Sequence, residues 1–345
     1  MSWEIAVAIV LIVIALGFDF TNGFHDSANA IATSVSTKAI PLRVALVMAA
    51  LLNFVGAYIG AVTGAKVSST IQDVVPNMPT GGPALALIAG ALVGAIAWNL
   101  LTWYLGIPSS STHALIGAVA GSAIIGVWIG VAEDQVDWSI VVNKVIIPMV
   151  TSPFVGLILA FILMRIIAKI FGNMNPQRVG KGFRHAQTVS AASMALGHGL
   201  QDAQKTMGII MLILFSVGAA DKGTEPYLWV IILCSTAIGL GTAAGGKKIM
   251  RTLGRRIGDL DPARGFAAES VASGVLYFTA YVVAAPVSTT QVITGSVMGA
   301  GAEKRLQAVR WSVGKRILWA WGITLPGAAA FGAVAHILIR IVFGY

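Results

Sequence analysis

The chain has 345 residues, of which 57% are hydrophobic and only 11% charged, with a mean hydropathy of +0.83. A soluble domain carries about 25% charged residues, so the composition excludes one and reads as an all-α polytopic membrane protein. The net charge of +9 is confined to particular loops, which reports topology and argues against a nucleic-acid partner.

No cleavable signal is expected, because Met1 to Glu4 lacks a basic region and the first apolar run leads straight into polar residues. The single cysteine, Cys234, excludes an internal disulfide and a thiolate metal cluster. Apolar segments follow at roughly 5–36, 42–64, 84–105, 112–130, 139–170, 189–218, 227–245, 265–285, 292–300 and 313–343. The first is interrupted by Asp19, Asn22, Gly23, His25, Asp26 and Asn29. Ionisable groups at membrane depth are costly unless they face protein or water, so this stretch reads as a functional site. Gly and polar side chains in mid-span also predict a broken helix there, and another in 189–218. Segments 84–130 read equally as two full helices or as a re-entrant hairpin, since both return the chain to the same side.

The second half repeats the first. Pro108-Ser109-Ser110-Ser111-Thr112-His113 lines up with Pro286-Val287-Ser288-Thr289-Thr290-Gln291, and Gly117 and Gly121 match Gly295 and Gly299. At nearly the same spacing, His25-Asp26-Ser27-Ala28-Asn29 corresponds to Gln201-Asp202-Ala203-Gln204-Lys205. The division is a first repeat over 1–170, a cytoplasmic linker over 171–188 and a second repeat over 189–345, about five membrane segments each.

Loop charges give the orientation. Lys38 and Arg43 correspond to the more acidic Asp221, Lys222 and Glu225. The balanced Lys66 and Asp73 correspond to Lys247, Lys248, Arg251, Arg255, Arg256 and Arg264. Glu133, Asp134 and Asp137 correspond to Lys304, Arg305, Arg310, Lys315 and Arg316. A basic loop always has a partner that is not, so the repeats are inverted. The linker, with Lys169, Arg178, Lys181 and Arg184, is cytoplasmic, and both termini are outside.

Inverted repeats with interrupted helices at matching positions point to a secondary transporter with its site between the repeats. Proline suits the first turn of a helix, and the hydroxyls after it join backbone N–H groups that have no intrahelical partner. Such a tip suits an oxyanion such as phosphate or sulfate; a lone copy reads as well as a helix cap. Asp26 and Asp202 need a cation or a proton beside an anion. Asp26 and Asn29 offer hard oxygen ligands one turn apart, whereas Lys205 can replace a bound cation. His25 titrates near neutrality, and Asn22 and Asp19 belong either to the site or to a solvated vestibule. His113 and Gln291 support the tips. His185, His198 and His336 read as structural or loop-bound, and Asn53 as a buried polar group.

The stretches Asn22–Ala30 and Gly197–Gly208, together with the two Pro-x-Ser-(Ser/Thr)-Thr motifs, resemble the paired signatures of the PiT family of inorganic phosphate transporters, in particular its bacterial low-affinity branch and actinobacterial members. The resemblance implies symport of phosphate with sodium or protons through an inverted-repeat fold in the plasma membrane. By position it places Ser109, Ser110, Ser111, Thr112, Ser288, Thr289 and Thr290 at the anion-binding tips; Gln204 and Lys205, from the second motif itself, are further candidates for the phosphate. It places Asp26, Asn29 and Asp202 at the ion and phosphate site, the metal ligands if sodium is bound; His25 and Asn22, by their own chemistry, are further candidates for ion coupling. Sodium-coupled members have Asn at the position of Lys205 and Glu at that of Asn53. The leading expectation is therefore proton-coupled phosphate symport, with a neutral metal–phosphate complex as one form of the cargo. Sodium-coupled phosphate or sulfate symport and an anion channel are the alternatives. No cofactor is expected. An enzyme is not expected either, for there is no His-Glu-x-x-His and no serine or cysteine with an evident base. The partners are phosphate, the coupling ion and the bilayer, with a homo-oligomer left open.

Overall fold

The computed structural model describes residues 3–107, 109–130, 136–245, 260–304 and 309–343, and these form helices joined by turns. Pro108 and the loop charges Glu133, Asp134, Lys247, Lys248, Arg251, Arg255, Arg256 and Arg305 lie outside the described residues.

The first half contains α1 (Trp3–Ser36), α2 (Leu42–Val62), the short α3 (Val67–Asp73), α4 (Gly82–Leu105) and α5 (Ser111–Trp128). It ends with α6 (Trp138–Phe171), which carries a π segment at Val141–Ile146. The second half contains α7 (Pro176–Ser216), α8 (Leu228–Ala244), α9 (Pro262–Val283), α10 (Thr289–Ala302) and α11 (Trp311–Phe343). Local sequence sets these starts. Asn175 and Asp261 accept N–H groups of the first turn ahead of Pro176 and Pro262, the combination expected of a helix N-terminus. Gly106, at φ +66°, ends α4 in the left-handed conformation that glycine tolerates.

Seven of the described helices are long and apolar enough to cross a membrane. Their outer faces carry Val10, Val13, Leu51, Ile158, Ile162 and Leu338, all exposed, whereas Asp19, His25, Asp26, Asp202, Lys205 and Glu269 are buried. Polar inside and apolar outside is the arrangement for a helical protein in lipid.

The broken helices expected in 5–36 and 189–218 are a correction. Both α1 and α7 run unbroken through their polar stretches. Asp26, Asn29, Gln201 and Lys205 bond to side chains of neighbouring helices without any opening of the backbone. The breaks lie instead between α4 and α5 and between α9 and α10, where each hairpin turns.

Glycines show how the halves fit. An added Cβ at Gly23 would strike the Ile238 carbonyl on α8, and one at Gly199 would strike the Asn53 carbonyl on α2. Gly241 meets Phe20 on α1 as Gly56 meets Leu196 on α7. Likewise Gly117 and Gly121 of α5 abut Leu325 and Ala329 of α11, while Gly295 and Gly299 of α10 abut Pro153 and Leu157 of α6. Every one of these contacts has a counterpart, and each joins one half to the other.

Matched helices run antiparallel. At one end of the molecule the Gly81 N–H donates to the Ser216 carbonyl (2.8 Å), with Glu4 beside Gly81. At the other, Thr37 Oγ1 donates to Gln187 Oε1 (2.7 Å). Thus α1 and α7 traverse the molecule in opposite senses. Gly94 and Gly90 of α4 lie against Gly332 and His336 of α11, which brings the end of α11 back to the end that holds Trp3.

The hairpins enter from opposite ends and meet. That of α4 and α5 starts at Gly82, beside Trp3. That of α9 and α10 has its feet tied at the other end by Arg264 and Glu303 (3.7 Å). Their tips touch where Thr290 Oγ1 donates to the Ser109 carbonyl (3.1 Å). With 14 residues, α10 is about 21 Å long, short of the roughly 30 Å hydrocarbon core.

Candidate functional site

Four chain segments converge where the tips meet: the middles of α1 and α7 and the first turns of α5 and α10. From α1, the Asp26 carboxylate accepts from Ser111 Oγ (2.9 Å) and Thr290 Oγ1 (3.4 Å), one hydroxyl from each tip. His25 Nδ1 lies 2.8 Å from the same carboxylate, and its Nε2 is 3.4 Å from Thr102 on α4. One turn on, Asn29 Nδ2 donates to Thr290 Oγ1 (2.8 Å) and Thr289 Oγ1 (3.3 Å).

The α7 side mirrors this with different chemistry. Lys205 Nζ donates to Thr112 Oγ1 (2.9 Å) and Ser111 Oγ (3.3 Å), the repeat equivalents of the two threonines that Asn29 touches. It also pairs with Asp202 at 3.1 Å. Gln201 donates to Thr279 on α9 (3.0 Å), as His25 approaches Thr102 on α4. All of these side chains are at most 8% exposed.

The tips divide their work. Ser110 and Ser288 occupy the N-cap positions of α5 and α10, accepting from the backbone N–H of His113 (3.2 Å) and Gln291 (3.3 Å). Ser111, Thr112, Thr289 and Thr290 face the carboxylates, Asn29 and Lys205. Ser109 Oγ donates to Thr102 (2.9 Å). Gln204 turns away from the tips, and its Oε1 accepts the N–H groups of Val67 (3.0 Å) and Ser68 (3.2 Å) at the start of α3. Asn22 and Asp19 are buried in α1, with Asp19 beside Asn22 and Thr206. His113 and Gln291 are buried behind the tips.

His198, read from the sequence as structural or loop-bound, sits against the site. Its Nε2 lies 3.3 Å from the Asp202 carboxylate and its Nδ1 3.2 Å from Asn53 Oδ1, while Asn53 donates to Thr242 (2.6 Å). Ligand atoms of Asp26, His198 and Asp202 all lie within 4.8 Å of one another, close enough to share a cation. The signal was in the sequence: His198 and Asp202 stand one helical turn apart, and His198 holds the repeat position of Asn22. Sequence reading missed Glu269 altogether. A lone acid inside an apolar run was the available clue.

This site combines hydroxyl donors on two helix N-termini, two carboxylates, one ammonium and two imidazoles, closed off from bulk solvent. It can hold an oxyanion against the tips and a small cation against Asp26 and Asp202.

A sequence profile described as "Phosphate transporter family" matches residues 22–332. A "Probable low-affinity inorganic phosphate transporter" of Bacillus subtilis is 43% identical over 343 residues, covering 99% of this chain and all of that protein. A protein of the same name from Mycobacterium tuberculosis is 42% identical over 346 residues, covering all of this chain and 80% of that one. Among solved structures, one titled "The sodium-dependent phosphate transporter" superposes with a TM-score of 0.86 at 23% identity, covering 98% of this chain and all of that one.

Proposed function

The chain belongs to the phosphate transporter family, and from that premise we propose that it carries inorganic phosphate across the cell membrane as a proton-coupled symporter. The observation that carries this reading is the convergence of two hydroxyl tips on Asp26, Asp202 and Lys205 in a closed centre. Phosphate takes the place between Ser111–Thr112 and Thr289–Thr290. It accepts from the Ser111 and Thr290 hydroxyls that now donate to Asp26, and Lys205 supplies a fixed positive charge.

Lys205 also supports protons over sodium as the coupling ion. It stands where the first half has Asn29 and makes the equivalent contacts, so its ammonium fills a place where a bound cation would otherwise neutralise Asp202. The cluster of Asp26, His198 and Asp202 supports a neutral metal–phosphate complex as a further form of the cargo, with the metal as substrate. A specific observation favours the sodium-coupled alternative: the similar solved structure is titled sodium-dependent, and Asp26 with Asn29 keeps an oxygen donor set on α1.

The linker end, with Lys169, Arg178, Lys181 and Arg184, faces the cytoplasm, and both termini face outside. Transport then alternates. Withdrawal of the α4–α5 hairpin opens the site to the outside, and withdrawal of the α9–α10 hairpin opens it to the cytoplasm. Radiolabelled phosphate uptake into proteoliposomes, with sodium and pH gradients imposed separately, tests the reading. Uptake that rises with an inward proton gradient and ignores replacement of sodium by choline is expected. Uptake stopped by choline at constant pH transfers the coupling to sodium.

A further inference from the structure

Away from the centre, one buried carboxylate has no cationic partner among the described residues. Glu269 of α9 is 0% exposed. Its Oε1 accepts from Thr33 Oγ1, from Ser34 Oγ (2.5 Å) and from Gln187 Nε2 (3.4 Å), and its Oε2 from Ser190 Oγ (2.5 Å). Thr33 and Ser34 lie on α1, two turns beyond Asp26; Gln187 and Ser190 lie on α7. One carboxyl group therefore fastens both site helices to the hairpin that closes the linker end.

The groups around it are neutral. From α1 and α7 only hydroxyls and one carboxamide reach it. On α9 itself, the basic residue Arg264 is engaged by Asp261 and Glu303. The facing parts of α6 and α10 are apolar, with Ala160, Met164, Val297 and Ala300 in the surrounding cluster. A buried charge without a counter-charge costs several kcal/mol, and taking up a proton removes that cost. The cage accommodates both forms, because a hydroxyl either donates or accepts. Ionised, Glu269 receives all four donors. As the acid, it donates its own proton to Ser34 or Ser190, whose hydrogen must turn away, and it holds the remaining donors more weakly.

We propose that Glu269 binds the coupling proton, at a site separate from that of phosphate. The proposal rests on the proton-coupled reading above. One proton converts the carboxylate to the acid on loading, and its release to the linker side restores the carboxylate; no other bond changes. Protonation loosens the tie of α9 to α1 and α7 and so frees the α9–α10 hairpin to withdraw. Loss of the proton locks it again.

The test uses the whole protein in proteoliposomes, with phosphate and an entrapped pH dye. For each proton carried per phosphate, an inward gradient of one pH unit drives about tenfold accumulation. Glu269→Gln should exchange internal for external phosphate yet show neither that accumulation nor dye-reported proton entry, while Glu269→Asp should recover both in part. Thr33→Val with Ser34→Ala, which keeps the carboxyl group but removes two donors to its ionised form, should shift the pH midpoint of uptake upward. Should Glu269→Gln fail to fold, this shift still decides, since an unmoved midpoint overturns the proposal. Accumulation and proton entry that survive in Glu269→Gln overturn it too, and leave proton coupling itself standing. A wild-type protein that accumulates phosphate on a sodium gradient and ignores the proton gradient overturns the coupling reading and this proposal together. Proton-driven wild-type uptake, with loss of accumulation confined to Glu269→Gln, supports both.

Discussion

Asn29 and Lys205 hold matched places on α1 and α7 and reach matched hydroxyls, but one is neutral and the other charged. On the proposed mechanism, Lys205→Asn removes the fixed charge and makes a mobile cation necessary. Uptake by that variant should become dependent on sodium, measured by replacement with choline; continued indifference to sodium would refute the fixed-charge role. The tip hydroxyls separate in the same way. Ser111→Ala and Thr290→Ala each delete a donor facing the anion, worth about 1.5–3 kcal/mol, or roughly tenfold or more in phosphate affinity. Ser110→Ala and Ser288→Ala instead remove N-caps, costing about 1 kcal/mol of stability each. Phosphate titration and thermal melting distinguish the two pairs, and equal affinity losses in all four variants would show that the caps also bind. Most of these residues are legible in the sequence because hydroxyls, amides and carboxylates at membrane depth have few other reasons to be there. Glu269 is not, since its partners come from residues 79 to 236 positions away and nothing local announces the cage.

At the scale of the element, backbone-to-backbone approach at Gly23 and Gly199 fixes how α1 sits on α8 and α7 on α2. Gly23→Ala and Gly199→Ala force these helix pairs apart, and each should cost about 1–3 kcal/mol as an overpacking change. Gly180→Ala, on an open stretch of α7, should leave stability unchanged or raise it by up to about 1 kcal/mol. Thermal melts in detergent compare the three, and a Gly199→Ala variant as stable as Gly180→Ala would contradict the packing described. The element-level misreading has the same origin. Gly23, Asn22 and Asn29 are poor helix formers, which predicts a break. Tertiary packing overrides that preference, because glycine at this position is what lets α8 approach. The hairpin tips are legible from Pro286 and the hydroxyls that follow, whereas their meeting in the interior is a contact between residues 181 positions apart.

For the whole molecule, the antiparallel run of α1 and α7 predicts that equivalent loops lie on opposite membrane faces. Cysteines at Arg43 and Asp221, both exposed, placed one at a time in a Cys234→Ala background, should react with an impermeant thiol reagent from opposite sides. Asp221→Cys should label in intact cells and Arg43→Cys only after permeabilisation; labelling of both from outside would contradict the proposed topology. The repeat is read from motif order and its inversion from loop charge, both of which survive in one dimension. The interleaving was not legible, since α5 rests on α11 and α10 on α6, elements far apart in the chain. The contact between Thr290 and the Ser109 carbonyl carries a last consequence, for leakage. Each tip stops one of the two routes, so a continuous pore requires both to be displaced at the same moment. If each displacement is an independent minor state populated at about 1%, the open pore exists about one part in ten thousand of the time. While one tip moves, the other can keep its own hydrogen bond to Asp26, through Ser111 or Thr290. Two ordinary helix ends, neither tight alone, thereby hold the membrane's ion gradients against a pathway that phosphate can still traverse.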